Sequence, residues 1–176
     1  MTKIIYILFL LLLCPSCVFA QQLTDNDVKN IVKQKTIEHV VYERYLKSAS
    51  GPVSVFGYHF DSYLDASFYS SLAIFGAIDG DRGGYGIAAI GVGFARNLAP
   101  NLVFDCKLLL GSGGGGGVPA GGGFAIEPQA GLSYEFIRNV YLETKFGVLY
   151  FPSGKYYTPI VNFGFSYRYY QLKLPY

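Results

Sequence analysis

The sequence predicts an all-β fold, an eight-stranded antiparallel up-and-down transmembrane β-barrel, with a short periplasmic helix ahead of the first strand. Three observations carry this reading. Apolar and polar residues alternate with period two over several stretches of roughly nine to eleven residues, the length a tilted strand needs to cross a bilayer. No apolar run long enough for a membrane-spanning helix follows residue 20. The segments between the alternating stretches are by turns short and polar, then glycine-rich.

Residues 1–20 read as a secretory signal peptide. Lys3 supplies the positive start, Ile4 to Leu13 an uncharged apolar run, and Val18-Phe19-Ala20 a cleavage site before Gln21. A lipoprotein signal at Cys17, after the small Ser16, is the rival; Pro15 and Cys14 fit that pattern poorly. Cleavage would carry away Cys14 and Cys17 and leave Cys106 alone, so an exported chain would have no internal disulfide. The 14 basic and 12 acidic side chains nearly balance, which excludes a strong field for nucleic acid or an acidic partner. The chain is nevertheless 17% aromatic, contains 22 glycines and has a mean hydropathy of +0.29. A hydrophobic exported chain without helix or disulfide is accounted for by a membrane barrel.

Residues 21–36 form a periplasmic N-terminal segment. Thr24-Asp25-Asn26-Asp27 offers a helix cap, and Val28, Ile31, Val32, Ile37, Val40, Val41 and Tyr45 fit helical and strand spacing about equally. A short helix running into a first strand at 37–47 satisfies both signals, whereas a helix through Leu46 would leave seven strands. The barrel spans 37–170. Its second strand, 52–60, places Phe56, Tyr58 and Phe60 on one side. The third, 64–74, opposes Leu64, Ala66, Phe68, Leu72 and Ile74 to Asp65, Ser67, Tyr69 and Ser71. The fourth, 84–96, opposes Ile90, Val92 and Phe94 to Ala89, Gly91 and Gly93. The fifth, 102–110, sets Leu102, Phe104, Cys106, Leu108 and Leu110 against Val103, Asp105, Lys107 and Leu109. The sixth, 124–136, is the clearest, with Ile126, Leu132, Tyr134 and Phe136 against Glu127, Gln129, Ser133 and Glu135. Pro128 within it points to a bulge, since a closed barrel has no free edge to excuse a missing donor. The seventh, 140–150, opposes Leu142, Phe146 and Val148 to Glu143 and Lys145; the eighth, 161–169, opposes Phe163, Phe165 and Tyr167 to Asn162, Ser166 and Arg168. Residues 171–176 are a C-terminal tail.

Turns at Phe60–Tyr63, Arg96–Asn101 and Ile137–Asn139 fall at the periplasmic end, and the glycine-rich Asp79–Gly84, Gly111–Gly123 and Pro152–Lys155 face outside. The nine-glycine segment Gly111–Gly123 reads as a flexible connection. One parity collects Asp65, Asp105, Lys107, Glu127, Glu135, Glu143, Lys145 and Arg168 into an interior polar network. An eight-stranded barrel is filled by its side chains, so opposite charges pair there away from lipid. Phe60, Tyr63, Phe94, Tyr134, Phe136, Tyr141, Tyr167 and Tyr169 would form the interfacial girdles.

With its signal, its meander and its closing strand Val161-Asn162-Phe163-Gly164-Phe165-Ser166-Tyr167-Arg168-Tyr169-Tyr170, the chain resembles the small OmpA/OmpX-type outer-membrane barrels over residues 37–170. The resemblance rests on pattern, and the chain departs from it in the residues after Tyr170. It implies that Phe165, Tyr167, Tyr169 and Tyr170 form the insertion signal read by the barrel-assembly machinery. It also implies a monomeric porin-like protein of the bacterial outer membrane and cell envelope, surrounded by outer-membrane lipid, with a structural or surface-interaction role.

Two other functions compete. His59, Asp61 and Ser62 bring a base, an acid and a hydroxyl into one turn, a set similar to that of lipid A acyltransferase and deacylase barrels. That turn falls at the periplasmic end, whereas those enzymes act from the outer leaflet. A soluble exported β-barrel binding an apolar ligand is the third reading. No cofactor or metal is expected. The glycine run lacks the Gly-Lys-Ser/Thr ending and strand–helix context of a phosphate loop, and Asp79-Gly80-Asp81-Arg82-Gly83 lacks the distal acid of a calcium loop. Basic stripes for nucleic acid are missing beside the aromatics.

Overall fold

The structure is a computed structural model and describes residues 32–47, 52–78 and 83–173. The expected signal peptide at 1–20, the start of the expected periplasmic segment, residues 48–51, Asp79–Arg82 and the last residues of the expected tail lie outside the described residues. Within Lys33–Leu172, a single compact unit, every strand pairs antiparallel with its chain neighbour and the sheet closes on itself. The strands are β1 (Val32–Tyr45), β2 (Val53–Tyr63), β3 (Phe68–Ala77), β4 (Gly86–Ala99), β5 (Leu102–Gly114), β6 (Phe124–Ile137), β7 (Val140–Phe151) and β8 (Tyr156–Lys173). The expected fold class holds: a closed eight-stranded up-and-down meander.

Several boundaries differ from the sequence expectation, among them β3, which runs over Phe68–Ala77, and β8, which begins at Tyr156. Residues 32–36, read as part of a helical segment, already belong to β1. There Thr36 pairs with Ser62, and the Gln34 side-chain amide donates to the Tyr63 carbonyl at 2.9 Å. Pairing with β2 thus overrides the local helix signal. The first turn is not Phe60–Tyr63 but the four residues after it, because β2 runs on to Tyr63. In that turn Asp65 Oδ1 accepts from the backbone amides of Ser67 at 2.7 Å and Phe68 at 2.8 Å, and Leu64 N donates to Phe68 O. Asp65 is therefore an exposed turn residue rather than a member of the interior network. Third, the Arg96–Asn101 turn tightens to Pro100-Asn101 because β4 continues to Ala99. Last, β8 continues past Tyr170 to Lys173, so the tail begins as strand.

Pro128 does not create a bulge. The β6–β7 pairing skips Glu127 and Pro128, yet Ile126 faces Tyr150 and Gln129 faces Gly147 in one unbroken register. Register slips instead at Glu135–Ile137 and at Asn97–Ala99, next to short turns. The missing donor costs local pairing and not alignment.

Every strand obeys the expected parity. The outer face carries Leu72, Ile90, Leu132, Phe146, Phe163 and Phe165, with Ile90 67% and Phe163 52% exposed. The inner face holds all the buried charges. A soluble sheet hides its apolar side chains and shows its charges, so the polarity of this wall is inverted. The girdle expectation needs one amendment: Tyr63 and Tyr141 point inward, whereas Tyr134, Phe136 and Tyr167 line the outside.

Two predictions follow from the wall and the first turn. Leu132→Arg, in the middle of β6, should cost about 2–4 kcal/mol in denaturant unfolding from phospholipid vesicles; an effect below about 0.5 kcal/mol would mark the position as ordinary solvated surface. The two backbone donors hold the Asp65 carboxyl below the usual carboxylate range. Its stabilisation is therefore present above the ordinary carboxylate pKa and is lost as pH falls through its own lowered value. Asp65→Ala should lower the unfolding midpoint at pH 7 and converge with the parent in strong acid.

Candidate functional site

The barrel interior is layered along its axis, and each layer follows from which residues occupy inward positions. Nearest the short turns, Ile37, Tyr63, Tyr69, Ala95, Val103 and Tyr141 form a small aromatic layer. The middle is ionic. Towards the glycine-rich loops lies a larger apolar cluster that includes Val41, Tyr45, Phe75, Leu109, Leu149, Phe151 and Ile160.

The ionic belt is drawn from five strands. His39 on β1 stands between two carboxylates, with Nε2 at 2.9 Å from Asp61 Oδ2 and Nδ1 at 2.9 Å from Glu143 Oε2. The Nδ1 contact with Glu143 is a hydrogen bond, while Nε2 lies against the Asp61 carboxylate. Lys107 Nζ lies 2.9 Å from Asp61 Oδ2, and Ser71 Oγ donates to the other oxygen of that carboxylate. Lys145 Nζ lies 2.8 Å from Asp105 Oδ1 and 3.8 Å from Glu143 Oε2, while the Tyr69 hydroxyl donates to Asp105 Oδ2 at 2.6 Å. His59 Nδ1 accepts from Lys107 Nζ at 3.3 Å, and its ring meets Phe75 edge-on at 4.9 Å. All these charged side chains are nearly sealed from solvent. In such surroundings an ionised group persists only where a counter-charge touches it.

Room for these side chains is made by glycine. A Cβ on Gly93 would fall 2.1 Å from Tyr69 Cζ, and one on Gly131 would fall 2.8 Å from Lys145 Cγ and closer still to the Thr144 carbonyl. Both glycines lie on the inner parity, opposite a large inward side chain on the neighbouring strand.

The loop joining β5 and β6 closes the other end. It begins at residue 115, since β5 extends through Gly114, and it packs rather than swinging freely. Val118 and Ala120 are buried in the apolar cluster beside Tyr85 and Phe151. Gly115, Gly116, Gly117, Gly121 and Gly123 take positive φ, a fold-back that residues bearing a Cβ rarely adopt. The Tyr45 and Tyr85 hydroxyls meet at 3.1 Å beneath it. Glycine here gives a compact stopper, not a slack tether.

Of the expected network, Asp105, Lys107, Glu127, Glu143 and Lys145 are buried inside. Glu135 and Arg168 share that parity but sit at the short-turn end. There Glu135 Oε1 accepts from Asn139 N at 2.7 Å, and the Arg168 guanidinium stacks over Tyr141 at 4.5 Å. Sequence reasoning missed His39 and Glu43 as interior groups, left Asn162 out of the network although on its parity, and placed His59 and Asp61 in a turn. The alternation could have found them, because Gly57, His59 and Asp61 continue the parity opposite Phe56, Tyr58 and Phe60. The set His59, Asp61, Ser62 is not assembled for catalysis. The first two point inward, while Ser62 lies on the outer wall near Phe60, Leu72 and Ile90. A cavity of about 20 Å³, bordered by His39, Asp61, Asp105, Ser133 and Arg168, adjoins the belt on the short-turn side. It has room for about one water molecule.

No family model and no curated protein matches the sequence. Solved structures do match the fold. The N-terminal β-barrel domain of Pseudomonas aeruginosa OprF superimposes with a TM-score of 0.56 at 12% identity, over 78% of this chain and 100% of that one. Ail, the attachment invasion locus protein of Yersinia pestis, gives 0.53 at 10% identity, over 78% and 99%. A de novo designed transmembrane β-barrel gives 0.56 at 12% identity, over 78% and 95%. The chain thus has the fold of small eight-stranded membrane barrels, as the OmpA/OmpX-type resemblance implied. That a designed barrel matches as well as natural ones shows how little this fold specifies about activity.

The belt yields a stability prediction. Lys145→Met removes the cation that Asp105 and Glu143 share and should cost about 3–5 kcal/mol in guanidinium unfolding. Adding Asp105→Asn should recover part of that loss; strict additivity of the two losses would show that the pair does not interact.

Proposed function

We propose that the chain is an outer-membrane β-barrel protein with a structural or surface-interaction role, a closed interior and no reaction of its own. In this reading it is exported through a signal peptide cleaved after Ala20, stands as a monomer in outer-membrane lipid, and needs no cofactor or nucleic acid. The observation that carries the proposal is the filled interior. An ionic belt and an apolar stopper occupy the space that a channel or an active-site cleft would need.

The outer wall supports the lipid setting. At the loop end, Lys47 lies over the Tyr157 ring at 5.4 Å, and Arg44 donates to Ser54 Oγ at 2.7 Å beside Tyr42. At the other end stand Tyr134, Phe136 and Tyr167. Aromatic rings with cationic tips at both rims of an apolar band suit the two headgroup zones of a bilayer. Phe165, Tyr167, Tyr169 and Tyr170 near the end of β8 are available as the insertion signal for the assembly machinery; the Tyr169 hydroxyl donates to Glu38 Oε1 at 2.6 Å and so also ties β8 to β1. Among the matched structures, Ail is named for attachment and invasion, one instance of a surface role carried on this fold.

The lipid A reading loses its residues, since His59 and Ser62 lie on opposite faces of β2. The soluble, ligand-binding reading would require the exposed Leu, Ile and Phe side chains to stand in water. The test is direct. The protein should be recovered from the outer-membrane fraction, show heat-modifiable gel migration, and give no stable conductance steps in planar bilayers. A steady open channel would overturn the closed interior, and recovery as a soluble periplasmic protein would overturn the location.

A further inference from the structure

The outer wall has a dent in it. Over β2, β3, β4 and β5 two cross-strand rows of outward residues run side by side. Phe60, Leu72, Ile90 and Leu110 form one; Ser62, Ser70, Val92 and Leu108, nearer the short turns, form the other. The two serines are shorter than the Phe and Leu side chains beside them, and a groove of about 500 Å³ opens over this part of the wall. Its lining is mostly apolar. The Ser70 hydroxyl donates to the Ser62 carbonyl at 3.3 Å and so is spent within the wall. Such a groove offers an occupant dispersion contacts and little hydrogen bonding, which suits a hydrocarbon chain and not water. Its volume is in the range of clefts that hold small ligands.

A second observation concerns charge. Arg96 lies further along β4 towards the short turns, on the same outer parity as Ile90 and Val92, and is exposed. None of the described acids forms an ion pair with it. Asp65, in the neighbouring turn, spends Oδ1 on the amides of Ser67 and Phe68. Between Arg96 and the groove stand the rings of Phe68 and Phe94, paired across β3 and β4 with their centres 5.2 Å apart. At about 3.3 Å per residue the strand covers roughly 20 Å from Arg96 to Ile90. A tilt of about 40° turns that into roughly 15 Å of depth, half of a hydrocarbon core about 30 Å thick. Arg96 and the far edge of the groove are therefore one leaflet apart.

We propose that this face is a phospholipid site: Arg96 holds the phosphate of a lipid from the short-turn leaflet, and one acyl chain of that lipid lies in the groove. The inference rests on the lipid setting proposed above and adds to it a particular place and headgroup chemistry. A cation at the rim of an apolar wall attracts lipid phosphate. The chain restores the contacts that Ser62 and Ser70 leave unmade, and the lipid fixes the depth at which the β2–β5 side stands in its leaflet.

The experiment uses the full barrel in phosphatidylcholine vesicles doped with phosphatidylglycerol that carries a photoactivatable diazirine on one acyl chain. After irradiation, adducts are located by peptide mass spectrometry. Labelling at Leu72, Ile90 and Leu110 should exceed that at Phe163, an exposed residue on another sector of the wall, several-fold. Arg96→Gln should lower labelling of the groove about fivefold and leave Phe163 unchanged. Ser70→Leu, which fills the groove, should bring it down to the level of Phe163. Diacylglycerol with the same chain and no phosphate should label the groove weakly, and alike in the parent and in Arg96→Gln. Equal labelling of groove and Phe163 in the parent would overturn the proposal while leaving the lipid setting intact. Groove labelling that ignores Arg96→Gln would overturn it too. So would a groove labelled less than Phe163 in a barrel that sediments as a dimer, which would give the face to a second copy. Absence of labelling over the whole wall would overturn the lipid setting and this inference with it.

Discussion

A charge inside a narrow closed barrel has no water to turn to, and the wall that encloses it faces hydrocarbon. Each ionised group must therefore be met by another within hydrogen-bond reach, and the arrangement of this molecule follows from that requirement. His39 serves two acids from two strands at once; Lys145 serves Asp105 and Glu143. These contacts link strands far apart in the sheet across the middle of the barrel. They hold the wall in a shape that hydrogen bonding between neighbouring strands alone leaves free. Buried ion pairs of this kind add little net stability over a well-packed apolar core, yet breaking one is expensive. Their value is in fixing one arrangement.

The apolar layers at either end make the belt's isolation effective. At the loop end, Val118 and Ala120 fold into the mouth on a backbone that only glycine easily follows, and Phe151, Leu149 and Tyr45 complete the seal. At the opposite end the aromatic layer is thinner, and the small cavity beside His39 and Asp61 lies on that side. The interior is thus more firmly shut towards the loops than towards the short turns. Glycine serves two ends in this chain. On inner strand positions such as Gly93 and Gly131 it gives up its own volume to a neighbour's large side chain, and in the stopper it permits a tight reversal.

Much of this was legible in the residues. Period-two alternation fixed the strands from β4 to β7 closely, because lipid outside and charge inside give each parity a distinct composition. Asp105, Lys107, Glu127, Glu143 and Lys145 were placed correctly by that rule alone. Failures occurred where the rule has less contrast. In β2 the inward residues are Val53, Val55, Gly57, His59 and Asp61, so the inner face begins apolar and hides the alternation; His59 and Asp61 then looked like a turn with Ser62. At 32–36 a capping pattern competed with strand pairing, and a partner strand settled the outcome. Asp65 fell on the right parity but lies in the turn ahead of β3, outside the strand. The packing of the glycine run depended on Val118 and Ala120 meeting residues from distant strands, which no local pattern encodes.

The inversion of inside and outside is tested most directly by nuclear Overhauser contacts between lipid acyl chains and methyl groups, with the barrel in a phospholipid nanodisc. Methyls of Ile90, Val92 and Leu132 should show contacts with the acyl chains, and those of Val41, Leu109 and Leu149 should show none. Acyl contacts at Leu109 and Leu149, with none at Ile90 and Leu132, would contradict the account at its root.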